Sequence, residues 1–85
     1  EHLSVSDITP HSFKLTWTAP EGIFDTFTIK VSESKGPTQP LHIIVPGNKR
    51  TEEVRLLRED TEYEIEVFGI ILGRKFQPIL AIART

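Results

Sequence analysis

The sequence predicts an all-β sandwich, and three observations carry that prediction. Apolar and polar residues alternate with a period of two along most of the chain. No segment sustains the 3.6-residue period of an amphipathic helix, and prolines and glycines, Gly69 and Pro78 apart, fall between the alternating runs rather than inside them. Seven short, punctuated strands in 85 residues fit two stacked antiparallel sheets. A chain of this length buries only about 60% of its unfolded surface, which is enough for one core. Residues 1–85 are therefore expected to form a single domain.

Leu3 to Ile8 is the first strand, with Val5 and Ile8 as core candidates, and Pro10 ends it. Ser12 to Thr18 follows and places Phe13, Leu15 and Trp17 on one face; Pro20 and Gly22 then break the chain. In Asp25 to Glu33 the inward row is Phe27, Ile29 and Val31. Gly36, Pro37 and Pro40 separate that strand from Leu41 to Val45, where Ile43 and Val45 face inward. Pro46, Gly47 and Asn48 turn the chain into Thr51 to Leu57, which contributes Val54 and Leu57.

Glu62 to Ile71 buries Tyr63, Ile65 and Val67 and leaves Glu62, Glu64 and Glu66 in water, where carboxylates keep their hydration. Gly69 marks either a bulge or a close approach. After Gly73 the last strand spans Phe76 to Arg84; Pro78 cannot donate to a ladder, so the strand is an edge or begins after it.

Bulk properties exclude several functions. A formal charge of -2 gives no basic footprint for nucleic acid. The absence of cysteine removes disulfides, thiolate metal sites and thiol nucleophiles. No apolar run approaches the roughly 18 residues of a membrane helix, and no membrane insertion is expected. Strand-like sequence runs almost to both ends, so the chain reads as a module of something longer.

The stretch "FKLTWTAP" resembles the second strand of a fibronectin type III domain, with Trp17 as the core tryptophan and Pro20 leading into the next loop. "LREDTEY" resembles the family's Leu-x-Pro-x-Thr-x-Tyr signature at Leu57, Thr61 and Tyr63, departing at Glu59 where proline is usual. "APEGIFDTFTI" and "GIILGRKFQP" look most like repeats of the tenascins.

The resemblance implies a seven-stranded immunoglobulin-like Greek-key sandwich with sheets ABE and CC′FG. It implies no enzyme and no cofactor. The implied setting is secreted: a module in a tandem array of an extracellular matrix glycoprotein, acting as a spacer and as a protein-interaction surface that modulates cell adhesion. Partners on that reading are neighbouring modules of the same chain, matrix proteins, glycosaminoglycans or cell-surface receptors. The resemblance also implies that loops 19–24, 46–50 and 72–75 gather at the N-terminal pole, and loops 10–11, 34–40 and 58–61 at the other.

Seven acids between Glu52 and Glu66 suggest a cation site at first sight, but the alternating oxygen ligands around a central glycine that mark a calcium loop are absent. The glutamates of one strand face form a row, steadied by Lys30 on the neighbouring strand. His2, His11 and His42 are too dispersed for metal-ligand spacing. Tyr63 has no partner base in the sequence, so it is expected to be a corner residue whose hydroxyl bonds a backbone group.

Lys49, Arg50, Arg74 and Lys75 come from two distant loops that the resemblance brings to one pole. They are candidates for polyanion or inter-module contact. The other pole carries Glu59, Asp60 and Glu62 against Arg58 and Lys35. The loop between the last two strands reads "ILGRKF" and lacks the Arg-Gly-Asp triplet of the family's integrin-binding members. Alternation turns Phe68 and Ile70 outward, with Leu80 and Ile82 beside them, as a candidate apolar interface; a bulge at Gly69 reverses that parity.

Overall fold

A computed structural model describes residues 2–35 and 39–85. Among these residues there are eight strands: β1 (Leu3–Thr9), β2 (Ser12–Trp17), β3 (Thr26–Glu33), β4 (Leu41–Pro46), β5 (Thr51–Val54), β6 (Glu62–Ile71), β7 (Arg74–Lys75) and β8 (Ile79–Arg84). One sheet has the order β1-β2-β5; the other runs β4-β3-β6, with β7 and β8 both paired to β6. All pairings are antiparallel. The expected turn residues Gly36 and Pro37 lie outside the described residues.

The two sheets close on the rows that alternation selects. Phe13, Leu15, Trp17 and Val54 come from the smaller sheet. Phe27, Ile29, Val31, Val45, Tyr63, Ile65 and Val67 come from the larger. Leu57 joins them from the segment after β5, all under a tenth exposed. Each large side chain removed from water in this way contributes about 1.5–3 kcal/mol. Trp17 and Phe27 meet edge to face at 5.7 Å, as do Phe13 and Tyr63 at 6.0 Å. The Trp17 indole N–H is buried with no acceptor among the described residues. Val5 and Ile43 pack at the margin, and Ala83 completes the core from β8.

Three expectations need correction. Ile8 is 48% exposed rather than core, because β1 loses register between Ser6 and Thr9 and Asp7 takes a φ of 51°. The fifth strand ends at Val54, not Leu57: Leu56 adopts a φ of 63° and swings fully into solvent, which returns Leu57 to the core. The last strand is split. β7 and Phe76 pair with β6 up to Gly69, where the Phe76 N–H donates to the Gly69 carbonyl at 2.9 Å. β8 resumes at Ile79 opposite Val67.

That register change leaves one extra residue in the last strand, so the bulge sits at Gln77 and Pro78, opposite Phe68. The β3–β6 ladder passes through Gly69 without interruption. Gly69 instead marks a close approach, because a Cβ there would collide with the Phe24 ring.

Candidate interaction site

Among the described residues, hydrogen bonds tie together the loops that the resemblance groups at each pole. At the first pole, the Thr18 N–H donates to the His2 carbonyl and the Trp17 N–H to the Arg50 carbonyl, both at 2.9 Å. The Gly47 N–H donates to the Asp25 carbonyl at 3.0 Å, and Asp25 Oδ2 accepts the Leu72 N–H at 2.9 Å. Phe24 sits among these loops, 5.0 Å from the Phe27 ring and 5.6 Å from that of Phe76. A cleft of about 220 Å³ opens beside it, lined by Ala19, Phe27 and Ile79; that is below the roughly 300–1,000 Å³ of small-molecule sites. Sequence reasoning missed Phe24, since it lies outside any alternating run.

Of the four cations, three have contacts within the chain. Arg50 Nη1 donates to the carbonyls of Gly47 and Lys49, both at 2.7 Å, and Nη2 to that of Pro20 at 3.0 Å. Its guanidinium also lies 5.1 Å from the Phe27 ring centroid. Arg50 therefore braces two loops against each other, a role hidden in a sequence that shows only its charge. Lys49 pairs with Glu52 at 3.0 Å, and the Lys75 ammonium stands 4.8 Å over the Phe68 ring. Arg74 is exposed on β7 and makes no ion pair among the described residues.

The opposite pole is mixed in charge. Arg84 pairs with Asp60 at 3.1 Å and Arg58 with Glu33 at 3.7 Å. The Arg58 N–H donates to the Tyr63 hydroxyl at 2.8 Å, so Tyr63 is the corner residue expected of it. Leu57 is held by its backbone as well: its N–H donates to the His11 carbonyl at 3.0 Å, and its carbonyl lies 3.1 Å from His11 Nδ1. The Thr85 hydroxyl donates to the Arg58 carbonyl at 2.6 Å and its N–H to the Thr61 carbonyl at 3.1 Å.

Phe68, Ile70, Leu80 and Ile82 all lie on the outer face of the larger sheet. Phe68 and Ile70 are half-buried near Lys75. Leu80 and Ile82 are about two-thirds exposed and stand opposite Glu66 and Glu64. The bulge at Gln77 and Pro78 lies opposite Phe68. On the same face Lys30 meets Glu66 at 3.6 Å, as the alternation predicts. No group of acids and histidines able to hold a metal occurs among the described residues.

Two facing sheets in this order, a tryptophan core and a tyrosine corner define a fibronectin type III domain. The model of that family, described as "Fibronectin type III domain", matches residues 1–77, and the chain belongs to it. Within the family the chain is most like tenascin: it is 48% identical to tenascin of Gallus gallus and 51% identical to that of Mus musculus over all 85 residues. It spans only 5% and 4% of those two proteins. A two-domain fibronectin type III segment from chicken tenascin superposes with a TM-score of 0.93 at 26% identity, over the whole of this chain and 48% of the segment. Fibronectin type III domains of this kind are non-catalytic structural modules.

Proposed function

We propose that this chain is a spacer and protein-interaction module of a secreted extracellular matrix glycoprotein, set in a tandem array of similar modules. One observation carries the reading. His2 and Thr85 lie at opposite poles of a body 37 Å long, and each is hydrogen-bonded into the loops of its own pole. A force or orientation entering at one end is thereby passed through the ladders to the other. The likeness to a tenascin segment of two such domains supports the tandem setting.

The charges favour contact between modules over capture of a polyanion. Lys49, Arg50 and Lys75 are engaged within the chain, so Arg74 and the rim of Lys75 are what the pole offers to a partner. Complementary rim charges set orientation and encounter more than affinity.

Two copies joined head to tail test the reading by small-angle scattering. The expected maximum dimension is about twice the 37 Å length of one copy; a side-by-side fold-back of ordinary single-module length contradicts it. The polyanion reading is tested on a heparin column with Arg74→Glu/Lys75→Glu. Retention that the double variant abolishes supports a glycosaminoglycan site, whereas equal elution at low salt removes it.

A further inference from the structure

A sheet edge exposes backbone donors and acceptors, and native proteins blunt it with charge, irregularity or cover. Three of the four lateral edges here are blunted. β5 has four residues and carries Glu52 and Glu53, paired with Lys49 and Arg55. Glu53 holds the Arg55 guanidinium pKa above its ordinary value, first by hydrogen bonding and then by charge. β1 is irregular between Ser6 and Thr9, and it packs along β8, so these two edges cover each other.

β4 has none of these protections. Its sequence, "LHIIVP", contains no acid, lysine or arginine. It pairs with β3 from Leu41 to Pro46 without a register shift, and no strand pairs with its outer edge among the described residues.

The ladder shows which groups are free. Hydrogen-bonded and non-hydrogen-bonded pairs alternate along an antiparallel ladder. The Gly47 N–H donates to the Asp25 carbonyl, so Val45, Ile43 and Leu41 also turn their backbone groups toward β3. The Ser34 N–H donates to the Glu62 carbonyl, which fixes the same alternation from the other side of β3. The N–H and C=O of His42 and Ile44 therefore point outward. Pro46 has no N–H, and its carbonyl already accepts the Lys49 N–H at 3.1 Å. Ile44 is 71% exposed on the outer face and Leu41 45% exposed on the inner.

We propose that β4 pairs with β4 of a second copy of this chain, antiparallel about a two-fold axis at Ile43. His42 then lies opposite Ile44 of the second copy, and each such pair exchanges both backbone hydrogen bonds, which satisfies every free group. Ile43 faces Ile43 and Leu41 faces Val45 on the inner side, so the apolar layer continues across the junction. Ile44 is covered by His42 on the outer side.

The strand's own symmetry singles out this occupant. Pro40 and Pro46 are equidistant from Ile43, so they stand opposite each other and neither end of the new ladder carries an unmet donor. No charged residue of either strand faces a like charge. The contact is smaller than the roughly 1,200–2,000 Å² of a stable interface. Single copies pair weakly, and arrays multiply the effect.

Because the chain has no cysteine, Ile43→Cys places one thiol per copy at the axis. Cα atoms of a non-hydrogen-bonded pair stand about 4.5 Å apart, within the span of a disulfide. Mild oxidation is expected to give covalent dimer at least tenfold faster than for Arg74→Cys, an exposed control remote from β4. In sedimentation, the unmodified chain should associate with rising concentration. Ile44→Lys, at an exposed position that leaves the thermal melt intact, should weaken that association at least tenfold. A chain that stays monomeric at all concentrations, association unchanged by Ile44→Lys, or equal oxidation of the two cysteine variants overturns the proposal.

Discussion

The Tyr63 hydroxyl accepts the Arg58 N–H at 2.8 Å while the Tyr63 ring lies buried edge-on to Phe13. One side chain thus fixes both the packing of β6 and the turn that leads into it. Tyr63→Phe keeps the ring and removes the acceptor from a part-buried amide. The expected loss is about 1 kcal/mol, read as a lower urea midpoint at an unchanged slope.

Gly69 and Phe24 form a second pair in close contact. Gly69→Ala places a methyl group where the Phe24 ring lies, and the ring is hemmed in by Phe27 and Phe76. Overpacking of this sort costs about 1–3 kcal/mol. With Phe24→Ala already in place, the same glycine substitution should cost much less, and denaturation of the double-mutant cycle measures that coupling.

Leu72 and Gly73 form a two-residue hairpin loop with φ of 50° and 79°. Positive φ at both positions suits Asn-Gly far better than Leu-Gly, and Leu72 is 89% exposed, so its side chain gains little in return. Leu72→Asn is expected to stabilise the domain by about 1 kcal/mol. A melting temperature that falls instead would show that the Leu72 side chain has packing value.

Arg50 and Arg74 test whether charge or bracing matters at the first pole. Arg50→Ala removes donors to Gly47, Lys49 and Pro20 and should lower stability by roughly 1–2 kcal/mol. Arg50→Lys should recover only part of that, since an ammonium has no planar fork. Arg74→Ala should stay within about 0.5 kcal/mol of the parent. Equal effects of Arg50→Ala and Arg74→Ala in thermal melts would contradict the bracing role.

Much of the fold was legible because burial in a strand follows a period of two. Phe13, Leu15 and Trp17, then Phe27, Ile29 and Val31, then Tyr63, Ile65 and Val67 could be placed inside from spacing alone, and all nine are buried. Ile8 failed for a physical reason: parity holds only while the ladder is regular, and Asp7 takes a left-handed conformation within β1. The missing N–H of Pro78 predicts a strand that is an edge or begins after it, and β8 begins at Ile79; the split and its register are not legible, because an extra residue can be absorbed at several places along a ladder.

The sequence by itself determined the strand rows, the tryptophan core and the tyrosine corner, and with them the family. These are local patterns, readable within a few residues. Only the tertiary structure decided what the charges and apolar tips do. Arg50 became a brace because Gly47 and Pro20, far apart along the chain, meet around it. β4 became the unprotected edge because β1 and β8, distant in sequence, cover each other, while β5 carries charge of its own. Such contacts are made across the sandwich, and a period of two along one strand carries no information about its neighbours.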